Sequence, residues 1–534
     1  MGIKRYVANS DTTITNAFEA NLQTRGTGSN MGRADSLAVF SIYGQEASGS
    51  SELSRILVNF PITDISSDRT AGTVPASGSV SFYLRMFNAV TPFTVPRNFT
   101  LVAAAVSGAQ ENDTTAIAFN WQEGNGLDME GYSDITRNGV GANWINMGSS
   151  STLGVVKWAG ANPEVGGVYY TDSLSHFTQT FGNGTEDLEI DITTLVEQWL
   201  DSAGNVLGSK PTYGLGIHLT SSDEAYIAVA STNVPANTAG ARRSYYTKKF
   251  FARSSEFFYK RPMIEARWDS SIKDYRGGFN YSSSLATADE NLNTIYLYNY
   301  FRGQLRNIPD IGTGNIYVNA YSGSASDTAP SGTALTLVAD GASVVAGNAT
   351  VVTGGYVSTG IYSASFAITA AATPLAHLYD VWHSGSTQYH TGTIAPSVIN
   401  LSNENPSAQH VTSITNLKPI YNKNETSRFR VFTRQKDWSP SIYTKAVASV
   451  PPFIIESGSF AVVRMIDDLN AVSFGTGSNL YTQMSFDVSG SYFDLDMSLL
   501  EAGYAYKIKF AYYNGSIGDW QEQPQEFRFR VEET

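Results

Sequence analysis

Three of the six histidines fall close together, His377, His383 and His390 within LAHLYDVWHSGSTQYHTG, with Asp380 among them. Imidazoles gathered across a turn, with a carboxylate oxygen beside them, would make a metal site. Their spacings of six and seven do not match the i, i+2 or i, i+4 patterns that put two ligands on one element. The stretch reads instead as polar positions on adjacent hairpin strands. Carboxylates offer a second chemistry: Asp187, Glu189 and Asp191 alternate along one strand face, and Asp494 and Asp496 do the same in YFDLDM. Carboxylates about 5–10 Å apart serve glycosidases, or hold calcium together with backbone carbonyls. In a chain of net charge −13, however, acidic solvent faces are the ordinary expectation. GxSxG, HExxH and Walker-type loops do not occur. Zero cysteine removes thiolate nucleophiles, Cys-ligated zinc, iron–sulfur clusters and disulfides together. The expectation is a non-enzyme with no catalytic residue, no metal and no cofactor.

The sharpest local feature is electrostatic. Arg242, Arg243, Lys248, Lys249, Arg253, Lys260, Arg261 and Arg267 are offset only by Glu256 and Glu265, a local charge of +6 against −19 for the rest of the chain. Seven aromatics (Tyr245, Tyr246, Phe250, Phe251, Phe257, Phe258 and Tyr259) are interleaved with them. One reading is a pair of strands whose Lys and Arg stems snorkel along the solvent face. The functional reading is a docking stripe for an acidic partner surface, Arg and aromatics being the anchors that interfaces favour. Nucleic acid is a poorer partner, because the remainder of the molecule repels phosphate. Trp438 in KDWSPS and Trp520 in GDWQEQ lie in turn-like contexts. They are candidates for contact with a glycan or with a neighbouring subunit, and the subunit is favoured.

The elements that position these residues are strands. Charged residues make up only 16% of the 534, against about 25% in an average soluble domain. Such a surface is solubilised by Ser, Thr, Asn and Gly, which suits sheets and not helices. In SVSFYLRMF, Val80, Phe82, Leu84 and Met86 fall on one face, with Ser79, Ser81, Tyr83 and Arg85 on the other. EFRFRVEE repeats this with Phe527, Phe529 and Val531 inward, and AYKIKFAYY offers a neighbouring strand with Tyr506, Ile508, Phe510 and Tyr512 inward. Asn514-Gly515 supplies a turn signal between the two, although the connection is long for a tight hairpin. DLEIDITTLVEQWLDS begins as a strand and continues as the one expected helix, near 195–201, with Thr194 as N-cap and Glu197 completing a capping box.

The expected class is all-β, with tandem β-sandwiches. Composition places a first domain at 1–270. A Gly/Ser/Asn-rich linker at YRGGFNYSSSLATADENLN then leads into an immunoglobulin-like sandwich within 271–401, and LSNENPSAQ marks the boundary to a second one at 402–534. No apolar stretch follows Lys4 and Arg5, and no run approaches 18 apolar residues, so neither a secretory signal nor a membrane span is expected. Position six and its neighbours lack the Ser or Thr of a myristoylation signal.

Seven ordered stretches carry a resemblance: ELSRILVNFPI (52–62), VSFYLRMFNA (80–89), WQEGNG (121–126), ANW (142–144), LEIDITTLVEQWL (188–200), YGLGIHL (213–219) and FFARSSEFFYKRPMIEARWD (250–269). In their order and spacing, the first half of the chain resembles DNRLRE-type domains, a β-sandwich family of surface and cell-wall-associated proteins. Trp121 and Trp144 would be buried anchors, and the strand-to-helix unit ending at Trp199 would close one end of the sandwich. The opening, KRYVANSDTTITNAFEANLQTRGTGSNMGRADSLAVFSIYG, and FRVFTRQKDWSP (429–440) are similar to virion structural proteins of tailed phages of marine bacteria. That similarity implies a particle component made in the host cytoplasm and located in the virion, in multiple copies, as a capsid-decoration, neck or tail-associated protein. Its partners would be other virion proteins and further copies of itself, with no nucleic acid and no membrane. A glycan-binding adhesin or receptor-binding fibre module, contacting host surface glycan through Trp438 or Trp520, is the alternative.

Overall fold

A computed structural model of the chain describes residues 2–19, 21–44, 51–91, 97–107, 119–127, 141–151, 154–158, 165–200, 206–287, 289–323, 330, 332–338, 349–369, 375–398, 409–439, 441–442 and 453–533. The LSNENPSAQ boundary falls outside the described residues except for Gln409, as does much of the low-charge 324–348 stretch. The fold is all-β with tandem sandwiches, and it divides into two compact units, Gly2–Trp268 and Asp269–Thr534.

In the first unit a four-stranded antiparallel sheet runs in the order Gly2–Val7, Met263–Trp268, Ser81–Met86, Leu188–Asp191. It faces a larger sheet ordered Tyr245–Phe251, Ser36–Ile42, Glu52–Asn59, Leu215–Leu219, Phe99–Ala105, His176–Phe181, with Ser10–Thr15 also paired to Glu52–Asn59. The alternation in 80–86 does what period 2 demands: Val80, Phe82, Leu84 and Met86 enter a core with Ile56, Val58, Leu101, Ile217 and Ile264. Each such side chain contributes about 1.5–3 kcal/mol on burial. The larger sheet is also covered on its other face, where Trp121, Trp144 and Trp158 pack with Ile14, Leu53 and Leu57. Trp121 and Trp158 satisfy their indole N–H groups on the carbonyls of Tyr213 (2.7 Å) and Asn143 (2.8 Å).

Two helices bracket one end of this unit, α1 (Ile62–Thr70) and α2 (Thr193–Leu200). α1 was not expected: only Ile62 and Ile65 of its nine residues are buried, too few to write a period into the sequence. The expected cap of α2 is corrected as well. Asp191 Oδ1 accepts from the Thr193 backbone N–H (2.9 Å) and from its hydroxyl (2.6 Å), while Thr194 Oγ1 donates to the Leu174 carbonyl (2.9 Å). Glu197 is drawn from the capping box into a two-point bond with Arg69 of α1 (2.7 and 2.6 Å). A bidentate charged pair is stronger than a single carboxylate–amide cap.

The second unit holds a six-stranded antiparallel sheet ordered Asn293–Tyr298, Ile361–Phe366, Val352–Ser358, Ile316–Gly323, His377–Ser384, Thr387–Ile394. The Val352–Ser358 strand changes partner midway: Gly354 pairs with Ile316, whereas Gly355 pairs with Ser363. The glycines mark a corner at which a strand passes from one half of the sheet to the other. Side chains from both halves, among them Ile295, Phe366, Val318 and Trp382, share one core. Further along, the sheet His410–Ile414, Thr426–Gln435, Gly490–Asp496, Ser485–Asp487 faces a second ordered Ile420–Asn422, Phe527–Glu532, Ala505–Asn514, Gly458–Arg464, Asn470–Val472. Phe460 of one sheet stacks on Phe493 of the other at 4.0 Å, and Phe429 stacks on Phe493 at 5.0 Å. The expected neighbours Ala505–Asn514 and Phe527–Glu532 do pair, and the long connection between them holds a further strand, Asp519–Glu522.

The expected linker after residue 271 is instead a built segment. Ile272 N–H donates to Ser485 Oγ (2.9 Å) and Asp274 N–H to the Phe486 carbonyl (3.1 Å), and the Tyr275 ring packs edge-on to Phe486. Arg276 then fastens it to the six-stranded sheet through Asp380. Backbone pairs then continue it, Tyr281 N–H to the Ser397 carbonyl (2.9 Å) and Ser282 N–H to the Ile368 carbonyl (2.9 Å).

Candidate functional site

The basic stretch does not form one open face. Lys248 is 2% exposed, and its Nζ donates to Asn88 Oδ1 (2.7 Å) and to the carbonyls of Glu186 (2.6 Å) and Gly184 (3.1 Å), between the rings of Phe181 and Phe250. Burial pushes its ammonium down to about 8. Lys249, one residue on, is half-buried and points to the other face of the strand. Arg253 grips Glu123 through two bonds (3.0 and 2.7 Å), and Arg261 donates twice to the Ser255 carbonyl (2.9 and 2.7 Å). Lys260 lies over Phe251 at 5.4 Å. Arg242 and Arg243 are exposed, Arg242 resting over Tyr226. Burial takes Lys248 out of the expected docking stripe, whereas Arg253 and Arg261 are held by these bonds with their side chains partly exposed. The Phe181 and Phe250 rings form the apolar surroundings in which the Lys248 ammonium must find fixed acceptors.

Arg267 belongs to a denser set. On the face of the four-stranded sheet away from the sandwich core, Glu265 receives Arg5 (2.7 Å), Arg85 (3.2 Å) and Arg267 (2.7 Å), and Glu189 receives Arg267 (2.7 Å) and Arg85 (3.3 Å). Burial alone would raise the Glu265 carboxyl, but Arg85, Arg5 and Arg267 hold it far below the usual range. The acidic faces singled out from sequence are thus engaged: Glu189 in this set, Asp187 by the Asn88 N–H (2.7 Å), and Asp191 as the α2 cap. Asp494 is clamped by Arg428 (2.7 and 2.9 Å), and Asp496 caps the short Met497–Leu499 turn. Asp380 accepts from both ends of Arg276 (2.5 and 2.8 Å) and from Trp382 Nε1 (2.6 Å), which removes it as a free oxygen donor for the neighbouring histidines. His390 lies opposite Trp382, and His383 opposite Gln388. Among the described residues no group of three or more His, Asp or Glu is placed to hold a metal ion.

Two buried titratable groups were not legible in the sequence. Asp11 accepts the Arg253 backbone N–H at 2.5 Å, its Oδ1 has no partner, and burial pushes its carboxyl up to about 7. His218, beside Tyr169 and near the buried Arg55–Glu224 pair, is pushed down to about 3 by burial and by Arg55.

Among the described residues, exposed aromatics include Phe257 and Phe258 of the basic stretch as well as rings on hairpins. Tyr300–Phe301 pairs with Gln304–Leu305 across Arg302-Gly303, both at positive φ as a two-residue turn requires. Tyr300 and Phe301 are 59% and 53% exposed, and Arg302 and Arg306 lie over the Phe301 ring at 5.3 and 5.5 Å. Of the two tryptophans expected at contacts, Trp520 is half-buried on its hairpin, edge-on to the exposed Tyr513 at 5.7 Å, with exposed Ile517 in the same turn. Trp438 is half-buried in a turn with its backbone N–H on the Gln435 carbonyl. A separate cavity of about 400 Å³ lies in the first unit between the start of α1 and the end of α2.

No family model matches the chain, and no curated protein matches it. Among solved structures, Salmonella alpha-2-macroglobulin reacted with methylamine aligns at 8% identity with a TM-score of 0.14, covering 100% of this chain and 34% of that one. The chain thus spans about a third of the length of that structure.

Proposed function

We propose that the chain is a non-enzymatic structural protein of a tailed-phage particle, present in multiple copies and acting through subunit packing as a capsid-decoration, neck or tail-associated component. The observation that carries this reading is the occurrence of exposed aromatic hairpins on a chain whose acidic groups are paired with its own arginines. Tyr300 and Phe301, flanked by Arg302 and Arg306, stand at one turn, while Glu265, Asp380 and Asp494 are each tied to arginines of the chain. Aromatic and Arg side chains are what interface cores favour. Such hairpins would insert into acidic, low-charge surface of a neighbouring copy or another particle protein, and the fixed ion pairs would keep each unit rigid under that load. Mass spectrometry of purified particles tests this: the chain in stoichiometric, multi-copy amounts supports it, and its absence from the particle refutes it.

The second reading, a glycan-binding adhesin or fibre module, is favoured by the Trp520–Tyr513 pair, an exposed aromatic corner of the kind that stacks on sugar rings. A glycan array decides between them. Binding abolished by Trp520→Ala and by Trp438→Ala favours the adhesin, and binding that ignores both substitutions removes it.

A further inference from the structure

We infer that the cavity between α1 and α2 binds one residue of a neutral, hydroxyl-rich ligand, a saccharide. Its volume of about 400 Å³ lies within the range of small-ligand pockets. Its polar lining residues are the amides Asn9, Asn59 and Asn120 and the hydroxyl residues Thr63, Ser66 and Thr212, with Trp199 among the apolar ones. Among the described residues no charged side chain lines it. An anionic ligand would find no guanidinium or ammonium there, and a buried unpaired charge is costly. A purely apolar ligand would strand the amides. Amides and hydroxyls each both donate and accept, which is the complement of a sugar hydroxyl.

A second observation points the same way. Trp199 is 5% exposed and its Nε1–H has no hydrogen-bond partner, and Asn120 Oδ1 is likewise buried without one. Two residues that line the cavity therefore carry an unmatched donor and an unmatched acceptor beneath its surface, and a hydroxyl group satisfies both kinds. Both atoms are shielded from solvent, so pairing them takes a side-chain adjustment at the wall, and the indole N–H of Trp199 becomes a direct reporter of occupancy. This site is separate from Trp438 and Trp520 and does not rest on the particle reading, which survives if the site fails.

The test is a titration of the ¹⁵N-labelled full chain with the methyl glycosides of glucose, galactose, mannose and N-acetylglucosamine, with methyl glucuronide as the anionic control. The indole N–H resonance absent in Trp199→Phe is followed. Ser66→Trp, at an exposed position on the cavity side of α1, fills the site without touching the core. At least one neutral glycoside shifts the Trp199 resonance, and Ser66→Trp weakens that binding by about tenfold or more, the loss of roughly one good hydrogen bond, with an unchanged unfolding midpoint. No shift with any neutral glycoside overturns the inference. So does a shift of equal affinity in Ser66→Trp, or tighter binding of the glucuronide than of its neutral counterpart.

Discussion

Glu265 stands where three guanidiniums converge, and removing it leaves Arg5, Arg85 and Arg267 facing one another in a site where Glu265 itself is 1% exposed. Breaking a buried charge set from one side costs about 3–5 kcal/mol, so Glu265→Ala should lower the unfolding free energy of the first unit by about that amount in urea titration. The pH signature has a definite sign. A carboxyl held below its ordinary 4.5 contributes its stability in full above that value and loses it as pH falls toward the folded-state pKa. The gap between Glu265→Ala and the parent should therefore be constant near neutrality and shrink in acid. Asp11 has the opposite sign. With its carboxyl raised from 3.8 to about 7, the folded state binds more protons than the unfolded state across that window, and stability from this site falls as pH rises through it. Asp11→Asn should be more stable than the parent at pH 8 and lose that advantage near pH 4, as thermal unfolding at the two pH values would register. Neither role could be read from sequence. Arg85 and Arg5 lie 180 and 260 residues from Glu265, and only the strand register brings them together.

At the scale of elements, the corner of the six-stranded sheet makes a paired prediction. A Cβ at Gly354 would stand 2.5 Å from the Ser363 carbonyl oxygen, whereas one at Gly355 meets nothing within 4 Å. Gly354→Ala should cost about 1–3 kcal/mol through forced backbone movement, and Gly355→Ala should stay within about 0.5 kcal/mol. Equal effects in denaturant titration would remove the corner from the account. Strands with one wet face were legible. Residues 80–86, 505–514 and 527–532 alternate because one face of each enters a core, and the pairing of the last two followed from their order, whereas 81–86 pairs with the distant 263–268 and 188–191. α1 was not legible because its helical state is set by its neighbours, through Arg69–Glu197 and two buried isoleucines, and not by its own pattern. The cap of α2 was misread for the same reason: Glu197 has a better partner on α1 than in its own first turn. The hairpin at Tyr300–Leu305 did leave a signal, an Arg-Gly pair between short aromatic and apolar runs, but two-residue strands are too short for periodicity to distinguish.

For the molecule as a whole, each unit owns its core, and the boundary between Trp268 and Asp269 cuts neither sheet system. Domains of this size with complete cores fold independently, so the fragment ending at Trp268 should unfold cooperatively with the same midpoint as the corresponding transition of the full chain. The negative net charge and the exposed hairpins act at this scale too. Under the particle proposal, the charge of −13 would keep free copies apart at low salt, and Phe301 with its two arginines would offer a contact that strengthens once acidic surface is presented. What composition disclosed, a low-charge all-β chain without cysteine, is a property of the whole molecule. What it concealed is that Lys248 and Arg267 of the basic stretch are buried while Arg242 and Arg243 are exposed, so the stretch is not one continuous stripe. The most direct measurement is a cryo-EM map of purified particles carrying this chain. The account predicts repeated density that fits both units, with the Tyr300–Leu305 hairpin buried at a contact between neighbouring subunits. Particles complete without such density, or with that hairpin facing solvent in every copy, would contradict it.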